Sequence, residues 1–223
     1  MRQAQQWDVA IGDDHTRAVF EPARRATGTL FVFAHGAGGN RDDKGMLALD
    51  ALLHDRGIDT VRFNFVYREK GSRRPDRMPQ LEACISAVVD RARRELKPAR
   101  TLIGGRSMGG RAASMLAAQD FDCNGLLLFA YPLHPADEPE KLRDQHLPRV
   151  VVPTLCFNGT RDPLCRHDLM EHVLARVGSN WTMHWLRDAD HSFHVLRTSG
   201  RTDADVLSEV GATIDAWLPT LSR

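Results

Sequence analysis

Several features are missing from this sequence of 223 residues, and each omission narrows its class. No apolar run approaches the roughly 20 residues that a membrane-spanning helix needs, so no membrane partner is expected. Residues 1–10 are polar and hold no apolar signal core, which points to a soluble, cytoplasmic protein. Neither sign of charge dominates: 30 Lys and Arg stand against 29 Asp and Glu, for a net +1. The whole-chain field therefore gives no reason to expect a polyanionic partner. The four cysteines (Cys84, Cys123, Cys156, Cys165) follow no metal-ligand spacing, and without a secretory route they are expected to be reduced. Without that route, the glycosylation patterns at Asn158 and Asn180 are read as accidental. No internal repeat or low-complexity tract is present. With 42% hydrophobic and 26% charged residues, the chain has the composition of one globular domain spanning 1–223.

What is present is an alternation of two periods. Apolar runs at 29–34, 60–65, 101–105, 124–130, 153–158 and 181–186 read as strands, most of them buried on both faces. Between them lie segments with helical spacing at 44–56, 80–97, 107–119, 166–177 and 202–218. In 80–97 the apolar positions are Leu81, Ile85, Val88, Val89, Ala92 and Leu96, and Pro98 ends the pattern. Strands separated by single helices imply right-handed crossovers and a mostly parallel sheet with helices on both faces. The first 25 residues are expected to add one or two antiparallel edge strands. Residues 64–79 break the rhythm with Arg68, Lys70, Arg73, Arg74 and Arg77, two prolines and a glycine. They read as a long basic loop after a strand end, where open parallel sheets form their ligand crevice.

The most informative stretch is Gly104-Gly105-Arg106-Ser107-Met108-Gly109-Gly110-Arg111. An apolar strand runs into Gly-x-Ser-x-Gly and then into an alanine-rich helix. This pattern presents a serine on a sharp strand-to-helix turn, at a helix N-terminus whose N–H groups favour negative charge. The competing reading is an ordinary glycine-rich turn, so the partners decide. A serine hydroxyl needs a base, usually a histidine, and a carboxylate to hold that histidine in the right tautomer. Asp162 follows the strand at 153–158, within Asn158-Gly159-Thr160-Arg161-Asp162-Pro163. His191 follows the strand at 181–186, within Asp188-Ala189-Asp190-His191-Ser192-Phe193. The order nucleophile, acid, histidine and the common position after strand C-termini favour Ser107, Asp162 and His191 over the competitors His184, His194, Asp188 and Asp190. A fourth element, His35-Gly36-Ala37-Gly38-Gly39-Asn40, bends towards the serine. The backbone N–H groups of Ala37 and Met108 are the expected oxyanion donors.

These motifs make the chain resemble an α/β-hydrolase. More narrowly, it is similar to the small, capless dienelactone-hydrolase-like group related to testis-expressed protein 30 and KAT8 regulatory complex subunit 3. The narrower resemblance rests on His35-Gly36-Ala37-Gly38-Gly39, Tyr67-Arg68, the residues from 104 to 111, Tyr131-Pro132-Leu133-His134-Pro135 and Gly159-Thr160-Arg161-Asp162-Pro163, and spans about residues 29–195. It implies an α/β-hydrolase fold without a large cap domain, while the triad itself points to a serine hydrolase of a carboxylic ester or related small acyl compound that needs no cofactor. Ser107 stands where dienelactone hydrolases proper carry a cysteine. A hydrolase fold kept as a binding or scaffold module is the alternative.

Further residues are expected near the site. Tyr67, Arg68, Arg73 and Arg106, with Arg111, form a candidate patch for an anionic substrate, and His134 is a candidate pocket residue. Asp188, Asp190, His191 and His194 have metal-binding side chains but match no zinc spacing, so no metal is expected. The basic loop lacks interleaved aromatics, so no nucleic acid is expected. Pocket walls are expected from loops 40–44, 64–79, 131–148 and 192–201.

Overall fold

In the computed structural model, which describes residues 2–221, the chain begins with an antiparallel hairpin, β1 (Gln5–Ile11) and β2 (Asp14–Glu21). Its buried residues alternate with exposed ones, as expected of strands covered on one face only. There follow β3 (Thr29–Ala34), α1 (Lys44–His54), β4 (Ile58–Phe63), α2 (Val66–Glu69), α3 (Met78–Leu96), β5 (Arg100–Arg106) and α4 (Met108–Ala117). The chain continues through β6 (Gly125–Phe129), β7 (Thr154–Gly159), α5 (His167–Leu174), β8 (Trp181–Leu186) and α6 (Asp203–Trp217). The eight strands form one sheet in the order β1-β2-β4-β3-β5-β6-β7-β8, parallel from β4 to β8.

The unbroken apolar strands follow from burial on both faces. In β3, Leu30, Val32 and Ala34 point into the core under α3, α4 and α5, whereas Phe31 and Phe33 point into the core under α1 and α6. Period-two geometry sends neighbours to opposite faces, and both faces are covered. Phe31, Phe33, Phe129 and Phe157 pack together across the second face, each fully buried. Each such ring contributes about 1.5–3 kcal/mol of burial.

The strand expected at 60–65 lies two residues earlier, at Ile58–Phe63. Its early residues are polar yet buried, which hides them from a hydrophobic pattern. Asp59 accepts a hydrogen bond from the Ala23 N–H. Arg62 is 2% exposed and pairs with Glu21, Asp42 and Asp50 at 2.8, 2.8 and 3.2 Å. The residues after Phe63 include the short helix α2, where the sequence pattern reads as loop. α3 is capped by Lys97, which takes a left-handed conformation (φ +48°) before Pro98. The long connection between β6 and β7 carries only a single 3-10 turn, Leu147–Arg149, and forms no cap. Among the described residues no helix is long and apolar enough to cross a membrane.

Candidate active site

Ser107 occupies the junction of β5 and α4 with φ +48° and ψ −117°, a conformation that a non-glycine residue rarely adopts. Close packing over-determines it. The Ser107 N–H donates to the Phe129 carbonyl at 2.9 Å, and the Arg111 N–H donates to the Ser107 carbonyl at 3.0 Å. A Cβ at Gly109 would lie 2.6 Å from both the Ala34 and His35 carbonyl oxygens, so the start of α4 can rest directly on the end of β3.

The three residues selected from the sequence form one hydrogen-bonded chain. Ser107 Oγ and His191 Nε2 are 3.0 Å apart, and His191 Nδ1 lies 2.8 Å from Asp162 Oδ2. With the Nδ1 proton donated to Asp162, Nε2 is free to accept the serine hydroxyl. The Asp162 side chain is fully buried, whereas that of His191 is 25% exposed. Two further donors hold the carboxylate: the Leu164 N–H to Oδ1 at 2.8 Å and Asn158 Nδ2 to Oδ2 at 3.0 Å. Asn158 is itself fixed by two bonds of 3.0 Å to the Tyr131 backbone, one donated and one accepted. Nothing in the sequence marks Asn158 for this role, because a polar residue closing an apolar strand carries no signal of its own.

The competitors are engaged elsewhere. His184 Nε2 lies 2.8 Å from Glu209, and His194 Nδ1 lies 2.9 Å from Asp203. Asp190 accepts the Ser192 and His194 N–H groups and so shapes the loop that carries His191. Asp188 pairs with Arg187 at 3.3 Å, so Asp188, Asp190, His191 and His194 face different partners. The one cluster of metal-ligating side chains among the described residues is Glu21, Asp50 and His54, and the Arg62 guanidinium already neutralises its two carboxylates. Cys165 is buried, and burial pushes its thiol well above the usual range, so it supplies no thiolate.

The N–H groups of Ala37 and Met108 have no protein acceptor among the described residues, and both residues border the space beside Ser107. The Ala37 loop is held by His35, whose Nδ1–H donates to the Gly36 carbonyl at 2.7 Å while Nε2 accepts the Phe65 N–H at 3.1 Å. The second bond requires the neutral ring, because a protonated Nε2 has no lone pair to accept the Phe65 N–H. Burial lowers the His35 pKa to about 4. His146, buried beside Ser114, is lowered to about 4 by burial and by Arg111 and Arg149. An unfolded chain takes up these protons below about pH 6.5, but the folded chain does so only near pH 4. Stability is therefore lost as pH falls through this window, by roughly 2–3 kcal/mol per ring at pH 4.5. We expect calorimetry to show a melting temperature lower by on the order of 10 °C at pH 4.5 than at pH 7. A constant melting temperature would contradict the assignment.

Two cavities meet at Ser107. One, of about 380 Å³, is lined by Gly36, Ala37, Asp43, Met46, Arg106, Leu164 and His191. The other, of about 460 Å³, is lined by Ala37, Asp76, Met78, Met108, Arg111, Pro132, Arg143 and Leu164, among others. The cationic patch expected from sequence is not assembled as such. Arg106 spends one guanidinium N–H on the His191 carbonyl at 3.0 Å and stacks over Phe193, which steadies the histidine loop. Tyr67 is buried against His35 and Phe65. Arg68 donates to the Ser72 carbonyl, and Arg73 is exposed; none of these three lines either cavity. His134 is 1% exposed and is a turn residue: its ring bonds the Pro135 carbonyl and accepts the Arg166 N–H ahead of α5. The loop at 64–79 does reach the site, but through Pro75, Asp76 and Met78 rather than through its arginines.

Residues 27–219 match the family model of the alpha/beta hydrolase domain. Among solved structures, the chain is similar to an alpha-beta serine hydrolase homologue from Coxiella burnetii (17% identity, TM-score 0.76, covering 98% of this chain and 99% of that one). It is similar to an alpha/beta serine hydrolase without lid from Xanthomonas campestris (18% identity, TM-score 0.77, 98% and 97% covered). It is also similar to a dienelactone hydrolase from Anabaena variabilis (20% identity, TM-score 0.74, both chains fully covered). At these identities the likeness is one of fold.

Proposed function

The chain belongs to the alpha/beta hydrolase family, and from that premise we propose that it is a serine hydrolase cleaving a carboxylic ester or related acyl bond. The observation that carries this reading is the continuous chain from Ser107 through His191 to the buried Asp162, with contacts of 3.0 and 2.8 Å. Ser107 Oγ attacks the acyl carbonyl while His191 Nε2 takes its proton. Asp162 keeps Nδ1 protonated and stabilises the imidazolium that forms. The N–H groups of Ala37 and Met108 bind the oxyanion, and each such donor is worth about 2.7–4 kcal/mol in the transition state. His191 then passes its proton to the leaving group. In the second half, water loses a proton to His191 as it attacks the acyl-enzyme, which releases the acid and frees Ser107. The uncapped sheet edge supports a substrate that is small or flexible.

A fluorophosphonate probe tests the proposal, because it reacts only with an activated serine. Intact-mass measurement is expected to show one adduct on the native protein, mapped to Ser107, and none on Ser107→Ala. A folded native protein that takes no label would sink the hydrolase reading and leave a scaffold.

A further inference from the structure

The two cavities at Ser107 are not equivalent in the proposed reaction. His191 lines the 380 Å³ cavity and not the other, and His191 is the group that protonates the departing alcohol. The leaving group therefore occupies the His191 side. The acyl chain then extends the other way, past Ala37 and Met108 and into the 460 Å³ cavity.

Two arginines project into that acyl cavity from separate parts of the chain. Arg111 sits one helical turn after Ser107. Arg143 lies on the β6–β7 connection, its backbone anchored by its N–H to the Leu133 carbonyl (2.7 Å) and by its carbonyl to the Tyr131 hydroxyl (3.0 Å). Among the described residues, no carboxylate comes within 4.0 Å of either guanidinium, and neither side chain donates a hydrogen bond. Arg111 Nε is buried without a partner. Burial and the neighbouring Arg111 charge hold the Arg143 pKa below its ordinary value. Most other buried or half-buried arginines here are committed, as Arg62 is to three carboxylates and Arg106 to the His191 carbonyl. The carboxylate that lines the same cavity, Asp76, accepts the Tyr67 N–H instead. Two adjacent unpaired cations are costly unless an anion joins them, and a planar carboxylate matches the guanidinium fork.

We propose that the 460 Å³ cavity is the acyl subsite and that Arg111 and Arg143 together hold a carboxylate on the acyl chain, so that the preferred substrates are monoesters of dicarboxylic acids. This rests on the serine-hydrolase reading and names its substrate class. Pro132, Met78 and Leu164 supply the apolar walls for the methylene spacer.

The test compares mono-p-nitrophenyl adipate with p-nitrophenyl hexanoate, which share chain length and leaving group. The native protein is expected to favour the adipate ester at least tenfold in kcat/KM. Arg143→Gln and Arg111→Gln are each expected to cut that ratio about tenfold, equivalent to about 1.4 kcal/mol. Arg143 lies on a loop, so its variant serves if Arg111→Gln does not fold. Turnover of both esters at one rate, with a ratio unmoved by either substitution, overturns the subsite and leaves the hydrolase reading standing. Binding of monoethyl adipate to Ser107→Ala by calorimetry reads the subsite without turnover. A Kd that rises tenfold when Arg143→Gln is added supports it even in a protein that cleaves nothing, and no binding overturns it.

Discussion

Ser107→Ala is expected to lower kcat on p-nitrophenyl butyrate by at least about 10⁴-fold while leaving the melting temperature within a few degrees. The substitution removes one oxygen atom, whose hydrogen-bond partner is His191 Nε2. The turn itself is held by backbone bonds to Phe129 and Arg111, which alanine keeps. His191→Ala is expected to cost a comparable factor, and the double variant little more than either single one, because the two act as a unit. Asp162→Asn extends the argument. Its carboxylate accepts from Leu164 on one oxygen and from Asn158 and His191 on the other. An amide sets its NH₂ against at least one of these donors. Turned towards His191, it favours the tautomer with the proton on Nε2, which cannot accept from serine. A loss near 10⁴-fold follows by analogy with the same substitution in other triads. Full activity in Ser107→Ala would end the covalent mechanism outright.

Gly105→Ala is expected to cost on the order of 4 kcal/mol or more of stability, or to give insoluble protein. Gly105 takes φ +152°, and a Cβ there would collide with the Ala34 carbonyl oxygen. That carbonyl belongs to the neighbouring strand, so relief requires β3 and β5 to part at the edge where Ser107 and the Ala37 loop meet. A side chain could swing away, but a paired backbone cannot. Chemical denaturation measures the loss, and a cost under 1 kcal/mol would show the sheet edge to be more pliant than its packing implies.

The parts of the site legible in the sequence are those encoded over a few residues. Gly105 and Gly109 around Ser107 mark the turn because only a missing side chain lets the strands and helix touch. Asp162 and His191 stand out because each follows an apolar run, and parallel strands place all such loops at one sheet edge. His35-Gly36-Ala37 is legible for the same reason, although the work of His35 proved to be anchoring the loop as a neutral ring.

Other features depend on contacts that no local pattern records. Arg106 and His191 are 85 positions apart, so their bond is invisible until the sheet closes. Asn158 gains its role only when β6 lies beside β7 and the Tyr131 backbone comes within reach. The basic loop stands out by composition, yet long charged side chains turn to solvent or to nearby carbonyls more readily than into a crevice, as Arg68 and Arg73 do.

The sequence by itself determined the alternation of strands and helices, the strained turn at Ser107 and the identity and order of its partners. These follow from short-range burial and backbone sterics. The tertiary structure alone decided which cations line the cavities at Ser107, what holds Asp162 and which way each histidine turns. Side-chain direction is set by neighbours distant in the chain, whose proximity arises only when the helices pack on both faces of the sheet.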